Sequence, residues 1–161
     1  MKLKMALILL AVTSAFSSQT PTTLGQERTF EITASISPES LRSDQYRQHG
    51  IFWVDTIIRN ITDRDQQIVV WSQSGWSWIA DSTEIVPAIA AQQNVSRTIA
   101  IRHGQNYKLS VELAGSSQIR RPITFRLGFY AKANRPISVQ PKFAILHANE
   151  IAWSNPISLK P

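Results

Sequence analysis

Strict alternation of apolar and polar residues is the feature that most constrains how this chain folds. Between Thr29 and Ile36 every second residue is apolar, and the same period of two recurs in residues 107–113 and 123–130. Such alternation is typical of β-strands with one buried face. The other strands predicted from short apolar runs cover residues 52–60, 67–71, a segment near Trp78, residues 95–102 and a final segment over 151–159.

Turn-forming residues separate these strands at intervals of about ten residues, which predicts an all-β sandwich or barrel of seven to nine strands. The turn Asn60–Asp65 predicts a hairpin between the second and third strands. Residues 38–50 lack the alternation and predict a short helical turn, with Ser37 as its cap and Pro38 at its first position. Residues 136–146 are ambiguous, because Pro136 and Pro141 would confine them to a sheet edge.

The first residues have the pattern of a secretory signal. Lys2 and Lys4 are followed by the apolar run 5–12 and then by small residues up to Ser17. That order is typical of signal peptides, and the apolar run is far shorter than the roughly 20 residues of a membrane-spanning helix. We therefore expect a signal peptide over residues 1–17, a flexible leader over 18–27 and one domain over 28–161. The mature protein should be soluble or peripherally bound, and located in the periplasm or outside the cell.

The composition excludes thiol chemistry and divides the charge unevenly. The chain has no Cys. Residues 18–96 carry five Arg and nine acidic residues, a net charge of −4, whereas residues 97–161 carry ten Lys or Arg and two acidic residues, a net charge of +8. A basic surface attracts anionic partners, although it also serves solubility alone.

The segment Ile99–Val111 resembles the corner before the penultimate strand of fibronectin type III and immunoglobulin-like domains. In those domains a turn containing Gly precedes a Tyr whose hydroxyl bonds back to the chain, and Gly104 and Tyr107 match these two positions. The chain also resembles exported bacterial immunoglobulin-like domains of unknown role. The resemblance implies an immunoglobulin-like antiparallel β-sandwich, although two or three strands follow residue 113 where the family would need one.

Two groups of residues are candidates for binding. Trp76 and Trp78 would share one face of an extended segment and could stack on a sugar or grip a partner, or they could fill the core. Arg120, Arg121 and Arg126 form the densest basic cluster. Because an exported protein rarely meets nucleic acid, the partner expected for this cluster is a protein or an anionic envelope polymer.

No pattern in the sequence points to catalysis, a metal or a cofactor. The three His are isolated, so zinc has no spaced ligand set. Asn60, Asp63 and Asp65 offer few oxygen ligands for calcium, and a turn held by side-chain bonds explains them more simply. Asp81 and Glu84 could form a hydrolytic pair only if the fold held them at a fixed separation.

The function predicted from the sequence is therefore a non-catalytic, exported binding or assembly module of the bacterial envelope. The alternative is a carbohydrate-binding module that uses Trp76 and Trp78, and a hydrolase using Asp81 and Glu84 is a third possibility. The oligomeric state does not follow from the sequence.

Overall fold

The computed structural model describes residues 28–72, 74–89, 94–115, 121–133, 137 and 143–160. In this part the chain forms 11 short strands and two short α-helices, α1 (Asp44–His49) and α2 (Phe143–Leu146). None of the helices in these ranges has the length and apolar character needed to cross a membrane. The strands are β1 (Phe30–Ile36), β2 (Ile51–Asn60), β3 (Gln66–Trp71), β4 (Trp78–Ala80), β5 (Ile85–Pro87), β6 (Ser96–Ile101), β7 (Asn106–Gly115), β8 (Ile123–Phe125), β9 (Leu127–Phe129), β10 (Ala152–Trp153) and β11 (Ile157–Leu159).

The strands pair antiparallel in four hydrogen-bonded groups. The largest is a sheet in the order β1-β2-β7-β5, and the others are β10-β9-β4, β11-β8 and β3-β6. Together they include a curled half-barrel. The prediction of a mostly β, antiparallel architecture is confirmed. The two-sheet immunoglobulin sandwich is not shown, because the strands divide into more groups than that arrangement has.

The core forms as the alternation predicts. Phe30, Ile32 and Ala34 of β1 are buried, and the polar residues between them are exposed. One cluster joins buried side chains from both ends of the chain. A smaller second cluster contains Ala133, Ile137, Phe143 and Ile151. This second cluster fixes α2 and the following turn against the rest of the fold.

The predicted hairpin between β2 and β3 is wrong. β2 pairs with β1 on one side and β7 on the other, whereas β3 pairs with β6. The fully buried Asn60 explains the difference, because its amide nitrogen donates to the carbonyls of Arg64 at 2.7 Å and Ile101 at 2.9 Å. Its amide oxygen accepts from the Thr62 N–H at 3.0 Å. These bonds hold the connection in a turn that leads away from β2 and toward β6.

The predicted strand over 123–130 is interrupted at Arg126. Asp81 forms hydrogen bonds with both backbone groups of this residue. Its Oδ1 accepts from Arg126 N at 2.6 Å, and its own N–H donates to Arg126 O at 3.2 Å. β8 pairs with β11, and β9 pairs with β10. Phe125 pairs with Ile157, and Gly128 pairs with Trp153. Two residues, 126 and 127, lie between these pairs on one strand, and three residues, 154–156, lie between them on the other. This extra residue forms a bulge, a common way to bend a paired strand.

The helical turn predicted near Ser37 forms later in the chain. A 3₁₀ turn covers Ser40–Arg42, and α1 begins after Ser43, whose Oγ accepts from Tyr46 N at 3.1 Å. α1 ends at Gly50, with a φ of 69° that favours glycine. Of the ambiguous segment 136–146, residue 137 and α2 lie within the described residues, while the predicted leader over 18–27 and the signal over 1–17 lie outside them.

Candidate binding groove

A groove of about 1120 Å³ opens between the outer edge of β1 and residues 148–155. Arg28 and Phe30 lie on its β1 side, and Tyr130, Lys132 and Trp153 lie on the opposite side. Because the bulge at 154–156 and the chain after β9 both contribute to it, the groove exists only where distant parts of the sequence meet.

The outer edge of β1 supplies backbone groups to this groove. Ala34 N–H donates to Asn155 Oδ1 at 2.8 Å, and Asn155 Nδ2 donates to Ala34 O at 3.0 Å. Backbone groups alternate in direction along a strand, so the N–H and C=O of Phe30 point toward the same edge. Phe30 lines the groove, and its main chain therefore offers a donor and an acceptor there.

Trp153 is an aromatic wall of the groove, and its position depends on a glycine. It pairs across the strands with Gly128, where a Cβ would approach Ile151 Cγ2 to 2.6 Å and Trp153 Cζ3 to 3.0 Å. The absence of a side chain at Gly128 lets the indole lie against β9. The Arg126 guanidinium lies 5.3 Å from the centre of the indole, within the range of a cation–π attraction.

Tyr130, His147 and Glu150 form a polar cluster beside the groove. His147 Nδ1 lies 3.1 Å from Glu150 Oε1, and the His147 ring stacks on Phe143 with centroids 4.3 Å apart. Burial raises the pKa of Tyr130, and the charge and hydrogen bonding of Glu150 raise it further. Hydrogen bonding to His147 is the main cause that lowers the pKa of Glu150. Near neutral pH, Tyr130 is therefore protonated and Glu150 is ionised.

Two cations in the groove lie outside the ion pairs of the described residues, although Lys132 is close enough to Glu150 for its charge to help lower the pKa of that carboxyl. Arg28 and Lys132 are both exposed, and neither takes part in an ion pair there. Arg126 differs, since its Nε lies 2.9 Å from Asp81 Oδ2. The groove thus combines two exposed cations with two half-buried aromatic rings, Tyr130 and Trp153, and it also contains the carboxylates of Glu31 and Glu150.

The structure separates the two tryptophans that the sequence places on one exposed face. Trp78 is 1% exposed in the core, with its ring 4.9 Å from that of Phe129. Trp76 lies in the 3₁₀ turn Ser74–Ser77, half-buried and 4.5 Å from the ring of Trp71. Trp78 thus takes the core alternative, and the two rings do not share an exposed face, because a 3₁₀ turn does not place alternate residues on one face as a strand does. A binding role for Trp76 stays a prediction.

The predicted basic cluster is also divided. Arg126 lines the groove, Arg121 lies elsewhere, and Arg120 falls outside the described residues. Arg121 Nη2 pairs with Glu84 Oε1 at 3.0 Å, as Arg126 pairs with Asp81. The two carboxylates considered as a hydrolytic pair are thus each paired with an arginine. A role in ligand binding for these three arginines stays a prediction.

Over the described ranges, no group of three or more His, Asp or Glu residues could hold a metal ion. The turn with Asn60, Asp63 and Asp65, considered as a calcium site from the sequence, is stabilised by hydrogen bonds between its side chains and the backbone. The side-chain nitrogen and oxygen of Asn60 both form hydrogen bonds with backbone groups. Asp65 Oδ1 accepts a hydrogen bond from the His103 N–H, with 3.4 Å between the oxygen and the nitrogen.

Comparisons with known proteins do not show a family for this chain. No protein-family model matches the chain, and no curated protein matches its sequence. Among solved structures, the FixG-related protein from Vibrio parahaemolyticus aligns over 83% of this chain and 99% of its own, with 10% identity and a TM-score of 0.43. At this TM-score and identity, the alignment supports no conclusion about the fold or function of this chain.

Sequence reasoning missed most of the groove. It did not single out Trp153, Arg28 or Tyr130. The alternation in residues 123–130 held one usable signal, because Gly128 is a small residue in an apolar strand, and such a glycine often marks close packing by a neighbour. That signal does not reveal which aromatic ring packs there.

Proposed function

We propose that this protein is a non-catalytic, exported binding module of the bacterial envelope that binds an anionic polymer in the groove beside β1. The observation that carries the proposal is the presence of Arg28 and Lys132, exposed and outside the ion pairs of the described residues, beside Trp153 and Tyr130. Cations attract acidic groups, and aromatic rings offer rigid contact area to sugar faces.

The pKa shifts in the groove favour binding over acid–base chemistry. General acid–base catalysis works best with a pKa near the operating pH. The pKa of Tyr130 is raised and that of Glu150 is lowered, so both shifts lead away from neutrality. Their contacts support a role in holding the turn 147–150 beside the groove.

Two parts of this proposal derive from the sequence. Export is supported by the signal pattern in residues 1–17. An immunoglobulin-like relationship is supported by Gly104, with its φ of 69°, in the turn before Tyr107. The Tyr107 hydroxyl, however, accepts from Arg97 Nη2 at 3.1 Å, and that bond is not the backbone bond of a tyrosine corner.

The test is a titration of the purified protein with a polyuronate, followed by tryptophan fluorescence. We expect saturable binding that weakens as salt is added, because exposed charges are screened. Lys132→Ala and Arg28→Ala should each weaken binding by about threefold to tenfold, the range for losing one exposed charge contact. Arg121→Ala is the matched control, since its ion pair with Glu84 lies outside the groove.

Either of two results would overturn the proposal. One is a flat titration with a folded protein, and the other is equal weakening by all three variants, which would place the contact elsewhere on the basic surface.

A second candidate is binding of a neutral carbohydrate, favoured by the half-buried Trp153 in the groove. It replaces the predicted use of Trp76 and Trp78, which do not form an exposed pair. The same titration with a neutral glucan distinguishes the two candidates, because stacking on Trp153 alone would be insensitive to salt.

A further inference from the structure

β6 is an edge strand whose outer backbone groups are unpaired among the described residues. Val69 N–H donates to Ala131 O at 2.8 Å, away from β6, and Val69 is the partner of Thr98 in the register. In an antiparallel pair, opposite residues share their hydrogen-bonding direction. The N–H and C=O of Thr98 therefore point away from β3, and by alternation those of Ser96 and Ala100 do the same.

β7 presents a second free edge nearby. β5 covers only its end, from Leu113 to Gly115, and Ala88 N–H bonds to Glu112 O at 2.8 Å. Alternation then points the backbone groups of Ser110 and Lys108 to the same outer side, where no strand of the described ranges pairs with them. The turn over 102–105 joins the two free edges.

Apolar side chains lie along these edges. Ile99 shares a strand face with the buried Ile101, and Leu109 shares one with the buried Val111. Both Ile99 and Leu109 are only half-buried and pack on the margin of the core. Each free edge therefore has a half-buried apolar side chain beside it that an added strand could cover. We call this surface, formed by β6 and by residues 106–111 of β7, the open side.

The charged side chains of the segment 96–110 have one sign, although two carboxylates of other segments adjoin it: Asp55 Oδ1 accepts from Ser110 Oγ at 2.6 Å, and Asp65 Oδ1 accepts from the His103 N–H at 3.4 Å. The segment 96–110 contains Arg97, Arg102 and Lys108 and no acidic residue. All three side chains are exposed. A second copy of this chain would bring the same positive charges face to face, which is unfavourable, whereas an acidic segment would be attracted.

We propose that the open side binds an extended acidic segment of a partner protein, which adds a strand to the edge of β6. Main-chain bonds to Ser96, Thr98 and Ala100 would supply affinity, as in other cases of strand addition. Apolar side chains of the segment would cover Ile99 and Leu109. Its acidic side chains would face Arg97, Arg102 and Lys108. This surface is separate from the groove, and the proposal does not depend on the polymer binding described above.

The test uses labelled peptides of about eight residues, the length of an ordinary strand, and measures fluorescence anisotropy with the purified chain. The probes are an alternating Glu–Val peptide, its Lys–Val counterpart, and a Glu–Val peptide with N-methylated backbone nitrogens on its pairing edge. We expect the Glu–Val peptide to bind at least about tenfold more tightly than either of the others, which equals about 1.4 kcal/mol.

Variants locate the site. Arg97→Glu should weaken binding of the Glu–Val peptide by about tenfold, whereas Arg42→Glu, an exposed arginine after a different strand, should leave it unchanged. Thr98→Pro removes an outward N–H without removing a bond to β3, so it should abolish binding while the protein stays folded. Lys132→Ala in the groove should have no effect.

Amide hydrogen exchange gives a readout that does not depend on any variant. The Glu–Val peptide should slow exchange at Thr98 and Ala100, whose amides have no hydrogen-bond partner among the described residues. Three results would overturn the proposal: equal binding of the Lys–Val peptide, unchanged exchange at these amides on binding, or self-association that protects the same amides without peptide.

Discussion

Asn60 shows how one buried polar side chain directs the path of the chain. It lies at the end of β2 with no exposed surface, yet its amide meets three backbone groups from the following turn and from β6. Burying an amide is favourable only when such bonds are made. A turn that looks like a simple hairpin loop in the sequence therefore acts as a junction between two sheets.

Replacing this side chain should destabilise the fold. Asn60→Ala removes the buried amide that bonds to the carbonyls of Arg64 and Ile101 and to the Thr62 N–H, and we expect a loss of about 2–4 kcal/mol in the free energy of unfolding. Urea denaturation measures it. The control is Asn106→Ala, at the exposed start of β7, with an expected change within about 0.5 kcal/mol. A loss as small as that of the control would show that Asn60 does not hold the junction.

Glu150 should make stability depend on pH in the acidic range. Its pKa in the fold lies below the ordinary value of 4.5, mainly through His147. A lowered pKa means that the ionised form stabilises the fold above about pH 4.5, and that this contribution is lost as the pH falls through the folded value. Unfolding of the wild type and of Glu150→Gln, measured between about pH 3 and pH 7, should differ most at neutral pH. A difference that is constant with pH would contradict the assignment.

At the scale of elements, β9 is the strand on which the groove depends. It pairs with β4 on one side and β10 on the other, and all three of its residues are buried. Gly128 at its centre faces Trp153 across the pair. The packing of a whole wall of the groove therefore depends on the missing side chain at one position.

Gly128→Ala tests this arrangement. The new methyl group would meet Ile151, Trp153 and Ile79 at 2.6, 3.0 and 3.1 Å, and we expect a destabilisation of about 1–3 kcal/mol, typical of overpacking. Tryptophan fluorescence should shift in the native state as the Trp153 ring is displaced. Gly104→Asn is the control, because its surroundings are open and Asn tolerates a positive φ. Unchanged fluorescence and stability in Gly128→Ala would contradict the proposed close packing.

At the scale of the whole molecule, the fold closes on one side and stays open on the other. On the closed side, the side chain of Asn155 bonds to both backbone groups of Ala34, 121 residues away in the chain. On the other side, the outer edges of β6 and of most of β7 have no strand partner among the described residues. The groove forms beside the closed junction, and the proposed strand-addition site lies along the open side.

Asn155→Ala should loosen the closed side without unfolding the protein. Removing both hydrogen bonds to Ala34 should cost about 1–2 kcal/mol. Amide exchange at Ala34 should accelerate more than exchange at Val54 in the sheet centre. Asn149→Ala, on the exposed turn that lines the same groove, is the matched control and should change neither. Equal exchange at Ala34 in both variants would show that the sheets are joined by other contacts.

The sequence by itself determined most of the strands and their buried faces, because alternation is a local property of a chain with one apolar side. It placed β1 and β7 within one or two residues, and it placed Ile32, Val111 and Phe125 in the core. It also identified Arg126, which lies in the groove. The interruption of the strand at Arg126 does not follow from local pattern, because it depends on hydrogen bonds to the distant Asp81. The position of α2 does not follow either, because it depends on packing in the second apolar cluster.

Only the tertiary structure decided which strands pair, where the chain crosses between sheets and which residues meet in the groove. Pairing depends on contacts between residues far apart in sequence, and the same alternating strand accepts several partners. The physical reason is visible at Asn60 and Asn155: each is an ordinary turn residue in the sequence, and each acquires its role from the distant backbone groups that the fold brings to its amide.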